Sequence, residues 1–136
     1  MVWIFFGKSG GKMTEVLMYN IGEGKRLKIK LLCNKLNIRS REVDPSEFGM
    51  KLSALLGIDD DKTVAPDSDF DGEMLYLSDF YGGMLNIFLN QLKRQRTPVA
   101  LKAVRTEANL GFTSFELYRE LCEEHKALEK RGSSNE

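Results

Sequence analysis

The chain has 136 residues, of which 42% are hydrophobic and 29% charged, and its 20 basic and 20 acidic residues give a formal net charge of zero. This length predicts one domain, and the composition excludes a disordered or collagen-like chain. The balance of charge excludes a strong overall attraction to nucleic acid or to an anionic membrane.

Cysteine usage and the apolar runs indicate the compartment. Cys33 and Cys122 are too few for a disulfide framework, and neither lies at zinc-ligand spacing from the one histidine, His125. The apolar run Val2–Phe6 is too short for a signal peptide, and no run approaches the ~20 residues of a membrane span. We therefore expect a cytoplasmic protein with no membrane contact, no metal and no cofactor.

The two ends of the chain differ from its middle. Residues 1–12 join the apolar run to a glycine- and lysine-rich stretch, which fails the phosphate-loop pattern because Met13 follows Lys12 where serine or threonine is required. We expect 1–12 to be an appended or flexible segment, 13–130 to form a single α/β domain, and 131–136 to be a disordered tail.

Strand and helix signals alternate in the first half of the domain. Val16–Ile21 is a short apolar run that stops at glycine, as a buried strand does. The stretch 25–37 is predicted to be helical. Its apolar stripe consists of Leu27, Leu31, Leu32 and Leu36. Ile38–Val43 predicts a second strand, and an Asp-Pro-Ser-Glu signal capped by Asp44 starts a second helix that runs to Leu56.

The second half repeats this order. Met74–Phe80 predicts a third strand, a leucine-rich helix follows to Arg96, Val99–Val104 predicts a fourth strand, and a capping box at Thr113 starts the last helix. Two β-α-β-α halves predict an α/β fold, with a four-stranded, mainly parallel sheet in the order 2-1-3-4 and helices on both faces. A ferredoxin-like α+β arrangement is the alternative, because short strands do not settle orientation.

Three motifs in the C-terminal half carry a family resemblance. A Glu-Met-Leu strand begins at Glu73, a P-x-A-L-K-A-V-x-T-x-x-N stretch runs from Pro98 to Asn109, and an L-Y-x-E-L-x-x-E-H run ends at His125. Together they resemble an uncharacterised bacterial family, domain of unknown function 3783, and the part 16–56 is similar more weakly. The resemblance implies a small cytoplasmic bacterial domain and supplies no reaction.

Lys102 interrupts an otherwise apolar predicted strand and is the first candidate for a ligand-binding residue. It either reaches solvent from the strand end or lines a pocket with Arg105, which stands where the family pattern usually has an aliphatic residue. Doubly wound sheets bind ligands at the carboxyl ends of the strands, where the strand order reverses. Cations, a hydroxyl and amides gathered there would suit a phosphate or carboxylate. The candidate ligand-binding residues are Lys102, Arg105, Thr106, Asn109, Asp79, Asn20 and Gly22.

No set of residues forms a recognisable catalytic constellation. The lone His125 is interpreted as a hydrogen-bonded boundary residue of the last helix. The fragment 67–72 matches the first half of a calcium loop, but Ser78 stands where the bidentate glutamate belongs. We therefore interpret this fragment as part of a solvated acidic loop.

Charge is segregated along the chain. The stretch 25–41 contains seven basic residues and no acid, whereas 42–79 contains eleven acids and two lysines. Aromatic residues are not interleaved with the basic ones, so nucleic-acid binding through 25–41 is the weaker alternative. A second basic group consists of Lys93, Arg94, Arg96, Lys102 and Arg105.

These observations favour a non-enzymatic binding or protein-interaction module. The alternative is binding or turnover of a small anionic metabolite, bearing phosphate or carboxylate, at the carboxyl ends of the strands. The expected partner is a protein or a small anionic ligand, and self-association of the chain is a further option.

Overall fold

The structure is a computed structural model that describes residues 14–134, with side chains described as far as residue 130, so the predicted segment 1–12 lies outside the described residues. Four strands form one sheet in the order β2-β1-β3-β4, which confirms the predicted order. The strands are β1 (Glu15–Tyr19), β2 (Arg39–Glu42), β3 (Met74–Ser78) and β4 (Leu101–Val104).

The sheet is mixed. β1 pairs with β2 in parallel and β3 with β4 in parallel, whereas β1 and β3 pair antiparallel, with Tyr19 opposite Met74. The mainly parallel α/β fold is thus confirmed, with one antiparallel pair at its centre. This pair arises because the connection 43–73 contains no helix long enough to return the chain to the opposite edge, so β3 starts beside the end of β1.

Helices cover both faces of the sheet. They are α1 (Glu23–Lys35), α2 (Leu52–Leu55), α3 (Met84–Arg94), α4 (Glu107–Leu110) and α5 (Ser114–Ser134), with a 3₁₀ turn at Pro45–Glu47. α5 extends into the segment 131–136 that the sequence assigns to a tail. Among residues 14–134, no helix is long and apolar enough to cross a membrane.

Both faces of the two central strands are buried, and each face has its own apolar core. Alternating side chains such as Val16 and Leu75 pack under α1 and α3, against Phe88. The other set, which includes Leu17 and Tyr76, packs under α2, α5 and the connection 43–73. All residues of β1 and β3 are buried, and these two central strands are flanked by the short edge strands β2 and β4.

The apolar stripe of α1 differs from the predicted one. Leu27 and Leu31 are 59% and 60% exposed, so the prediction that they belong to the buried stripe is wrong. Ile29, Leu32 and Cys33 are buried instead. The reason is periodicity: these three side chains share one side of the helix with a stagger of three and four residues, and Leu27 and Leu31 lie on the opposite side.

Both predicted capping boxes form. The amide of Ser46 donates to Asp44 at 3.0 Å, and Glu47 reaches back to the amide of Asp44 at 3.3 Å. At the start of α5, Thr113 and Glu116 exchange hydrogen bonds of 2.9 and 3.1 Å. Each box satisfies amides that have no partner within the first turn of a helix.

The helix that begins at Asp44 is nevertheless shorter than predicted. It ends as a 3₁₀ turn, and α2 starts separately after a short non-helical connection, residues 48–51. In that stretch the carbonyl oxygens of Phe48 and Met50 accept hydrogen bonds from the amides of Phe115 and Ser114. The chain leaves the helical path here because its carbonyl groups serve the first turn of α5 rather than their own helix.

Candidate binding surface

The structure does not bring the seven predicted ligand residues together. Asn20 and Gly22 follow the carboxyl end of β1, whereas Asp79 follows the carboxyl end of β3 and Arg105 that of β4. Since β1 and β3 are antiparallel, their carboxyl ends lie at opposite ends of the sheet along the strand direction. The expected crevice between the first and third strands requires parallel neighbours and is therefore not formed.

Arg105 and Asp79 form an ion pair at the carboxyl ends of β3 and β4. Nη1 of Arg105 lies 3.2 Å from Oδ2 of Asp79 and 3.2 Å from Oγ of Ser78. The hydroxyl of Thr14 donates to the carbonyl oxygen of Asp79 at 2.8 Å. The two charged side chains are only 18% and 25% exposed, so the guanidinium already has a sheltered carboxylate partner.

Thr106 and Asn109 are occupied by the turn that follows β4. They form the capping box of α4, in which each side chain accepts a hydrogen bond from the other residue's amide, at 2.9 and 3.0 Å. The side-chain Oδ1 of Asn109 also accepts a hydrogen bond from the hydroxyl of Tyr76 at 2.6 Å, and its Nδ2 donates to the carbonyl oxygen of Val104 at 3.0 Å. Burial raises the pKa of Tyr76, which keeps the phenol a hydrogen-bond donor.

Asn20 binds the acidic loop at the carboxyl end of β1. Its backbone adopts a positive φ of 57°, and its Nδ2 donates to the carbonyl oxygens of Phe70 and Gly72 at 2.9 and 3.1 Å. Gly22 lies at the start of α1, where its carbonyl oxygen accepts the amide of Arg26. Both residues therefore have structural roles that the sequence alone did not indicate.

The calcium-like fragment is held by aromatic packing. Phe70 is buried, and its ring stacks on Phe48 at 4.3 Å and on Tyr118 at 4.2 Å between centroids. In residues 14–134 no three histidine, cysteine, aspartate or glutamate side chains are grouped so that they could hold a metal ion. The loop's central side chain thus belongs to the core.

The other reactive side chains have ordinary surroundings. His125 is exposed and lies 3.6 Å from Glu129 on the next turn of α5. Cys33 is buried, and burial raises the pKa of its thiol to about 12, so it is not a nucleophile near neutral pH.

Ion pairs neutralise much of the basic stretch 25–41. Four of its cations have carboxylate partners drawn from the acidic part of the chain. The pairs are Lys25–Glu73 (2.7 Å), Arg26–Glu42 (3.4 Å), Lys30–Glu42 (2.6 Å) and Arg41–Glu47 (2.7 Å). The fold therefore brings the basic stretch and the acidic part of the chain together, so that their charges partly neutralise each other.

Lys102 lies on an apolar groove between the end of α3 and the start of β4, and its Nζ donates to the carbonyl oxygen of Val99. The groove has a volume of about 660 Å³ and no carboxylate in its lining. Its lining, hereafter the α3–β4 groove, comprises Leu89, Leu92, Lys93, Arg96, Thr97, Pro98, Val99, Ala100 and Lys102. Among the seven candidates, Lys102 is the one that lines it.

The rest of this groove was not predicted as a site. Leu89 and Leu92 belong to the predicted leucine-rich helix, and both contribute to the core under α3. Leu89 is partly accessible at the groove, where α3 ends at Arg94 before the chain turns through Pro98 into β4, whereas Leu92 is buried. The one signal in the sequence was the second basic group, three of whose five members line the groove.

The fold and surface define a mixed α/β domain with a cation-rimmed apolar groove. Residues 73–128 match the model of a family described as a domain of unknown function (DUF3783), which confirms the family resemblance for this part of the chain. The match runs from the start of β3 into α5 and includes Lys102, Arg105 and Asn109. No curated protein and no solved structure matches the chain.

Proposed function

We propose that this domain is a non-enzymatic interaction module that binds an acidic protein segment with apolar side chains in the α3–β4 groove. The observation that carries the proposal is the combination of an apolar floor, a cationic rim and a lining without carboxylates. The groove's volume of about 660 Å³ falls within the range of ligand-binding clefts.

The floor supplies a favourable free energy for binding an apolar side chain. Leu89, Pro98 and Ala100 are at least partly accessible, and they surround space that a leucine or valine side chain of a partner can occupy. Burying one such side chain is worth about 1.5–3 kcal/mol. Apolar surface bordered by polar groups is typical of interaction sites.

The rim supplies selectivity for negative charge. Within residues 14–130, Lys93 and Arg96 have no ion pair, and Lys102 donates only to a main-chain carbonyl group. These cations contrast with Lys25 and Arg105, each of which has a carboxylate partner. Unpaired cations beside an apolar floor favour acidic over basic partners through complementary potentials.

A small-metabolite site has less support. The predicted anion ligands Arg105, Thr106 and Asn109 already donate to or accept from groups of the fold. The charged groups that line the α3–β4 groove are the exposed cations Lys93, Arg96 and Lys102, beside apolar residues. An acidic peptide with apolar side chains suits this combination better than a small ligand held by polar groups alone.

Peptide selection tests the proposal. A random displayed peptide library is selected on the wild-type protein, and the enriched peptides are titrated by fluorescence anisotropy and mapped by amide chemical shifts. We expect peptides that carry carboxylates beside apolar residues, with shifts centred on Leu89, Leu92 and Val99. Neutralising the rim with Lys93→Gln, Arg96→Gln and Lys102→Gln should weaken binding about tenfold or more.

A second triple variant serves as the control. Lys35, Lys62 and Lys126 are exposed, lie outside the groove and have no ion pair in the described part of the chain. Their replacement by glutamine removes the same net charge and should leave affinity within about twofold. Equal losses in both triple variants would attribute binding to net charge and contradict a specific groove.

A further inference from the structure

The outer edge of β4 is open. In the order β2-β1-β3-β4 this strand pairs with β3, and among residues 14–134 no strand lies on the other side of its backbone. Lys102 and Val104 are both exposed on it. Strand edges of this kind present unpaired backbone groups that another chain can use.

The register identifies which groups point outward. The amide of Arg105 donates to the carbonyl oxygen of Leu77, and in a parallel ladder every second residue bonds to the same neighbour. Leu101, Ala103 and Arg105 therefore face β3, while the backbone groups of Lys102 and Val104 face away. The bond from the Asn109 side chain to the carbonyl oxygen of Val104 agrees with this direction.

Three outward backbone groups remain without partners. Within residues 14–134, no hydrogen bond engages the amide or carbonyl group of Lys102 or the amide of Val104. The α3–β4 groove lies beside them, since Lys102 belongs to both the strand and the groove lining. Hydrogen-bonding groups and apolar surface thus meet at one strand.

The opposite edge of the sheet is less receptive. Three of the four residues of β2 are charged, namely Arg39, Arg41 and Glu42. Charged side chains along an edge oppose the addition of another strand. β4 has a single charge, at Lys102, between Leu101 and Ala103.

We infer that the partner segment binds as an extended strand added to the open edge of β4, with a carboxylate placed against Lys102 and, two positions along the segment and therefore on the same face, an apolar side chain in the groove. This inference rests on the proposed function and specifies how the partner is held. Backbone hydrogen bonds supply affinity in such strand additions, and side-chain pockets supply specificity. Lys102 rejects basic strands, because like charges placed opposite each other across a ladder are unfavourable.

The test uses a short blocked peptide in which valine and glutamate occupy every second position in turn, with serine between them, so that both lie on one face of the strand. Its affinity for the full chain is measured by calorimetry. Val104→Pro removes an outward amide that no ladder bond uses, and proline is tolerated on such an edge. We expect this variant to bind the peptide about three- to tenfold more weakly, as loss of one hydrogen bond predicts. Circular dichroism checks that the variant is folded.

A modified peptide tests the same bond without altering the protein. In an extended peptide, alternate amide nitrogens point to the same side. Methylating the set that faces β4 should lower affinity for wild-type protein about as much as Val104→Pro does. Methylating the set that faces away should leave affinity unchanged. Replacing glutamate by lysine in the peptide should abolish binding to wild-type protein and restore it to Lys102→Glu.

The outcomes separate the two proposals. If the peptide binds the groove but ignores both Val104→Pro and backbone methylation, strand addition is wrong and the groove proposal stands. If the triple groove variant binds as well as wild-type protein, the proposed function itself fails. If the peptide binds more tightly after residues 1–12 are removed, the occupant of the β4 edge is the chain's own N-terminal segment. If the protein forms dimers that the peptide dissociates, the occupant is a second copy of the chain. Either of those results overturns a separate acidic partner.

Discussion

Glu15 pairs with Ser78 at the antiparallel centre of the sheet. Arg39 of β2 lies beside Glu15, and Arg105 donates to the Ser78 hydroxyl at 3.2 Å. A row of polar side chains therefore runs across the four strands at one end of the sheet. Glu15 is nearly buried in this row. Burial raises the pKa of its carboxyl group, and the nearby Arg39 and Arg41 guanidinium groups offset part of that rise.

Glu15→Gln is therefore expected to stabilise the protein near neutral pH. The folded-state pKa of Glu15 is raised above the usual 4.5, so ionisation costs stability as pH rises through the folded pKa, and the cost is absent well below 4.5. Glutamine keeps the shape without the charge. Urea unfolding at several pH values should show a gain near neutral pH that disappears in acid, whereas the exposed control Glu120→Gln should show no such trend.

Gly49 and Gly24 should respond in opposite directions to alanine. A Cβ at Gly49 would lie 2.3 Å from the backbone oxygen of Ala65, so Gly49→Ala should cost about 1–3 kcal/mol. A Cβ at Gly24, in α1, meets nothing within 4 Å, and Gly24→Ala should gain about 0.5–1 kcal/mol. Thermal unfolding of both variants checks the contact, and equal behaviour would contradict it.

Asn109→Ala removes one half of the α4 capping box and leaves the buried hydroxyl of Tyr76 without its acceptor. The expected cost is about 1–3 kcal/mol of unfolding free energy. Tyr76→Phe in the Asn109→Ala background should recover part of the loss, because no unsatisfied hydroxyl then remains. Asn90→Ala, an exposed amide on α3, is the control and should be nearly silent; additive effects at Tyr76 and Asn109 would show that the two residues are not coupled.

Lys102→Met should leave the fold intact. Lys102 is exposed and has no carboxylate partner among residues 14–130, since Asp79 pairs with Arg105 instead. No buried charge is stranded by the substitution, so unfolding should shift by less than about 1 kcal/mol. A loss of several kcal/mol would indicate a buried ion pair.

Local signals in the sequence predicted much of the fold. The capping boxes at Asp44 and Thr113 depend on residues near one another in the chain, and both are confirmed. The strand order follows from the alternation of strand and helix signals along the chain, and it is also confirmed. The exposed side of α1 was missed because both of its sides carry leucines, and only packing against the sheet decides that Leu32 is buried and Leu31 is not.

The candidate site depended on strand direction, which local patterns do not contain. The antiparallel pairing of Glu15 with Ser78 follows from the path of the connection 43–73, and this path separates Asn20 from Asp79. Lys102 is predicted to interrupt an apolar strand, and it lies on β4 between Leu101 and Ala103. Its groove could not be predicted, because it forms where α3 ends above the start of β4.

A charge-exchange titration tests most directly whether the rim of the α3–β4 groove recognises acidic segments. The protein carrying Lys93→Glu, Arg96→Glu and Lys102→Glu is titrated with a valine–glutamate peptide and with its valine–lysine counterpart, and both Kd values are compared with those of wild-type protein. We predict that the preference inverts, with wild-type protein binding only the acidic peptide and the variant only the basic one. An unchanged preference for the acidic peptide, in a variant shown to be folded, would contradict the proposed function.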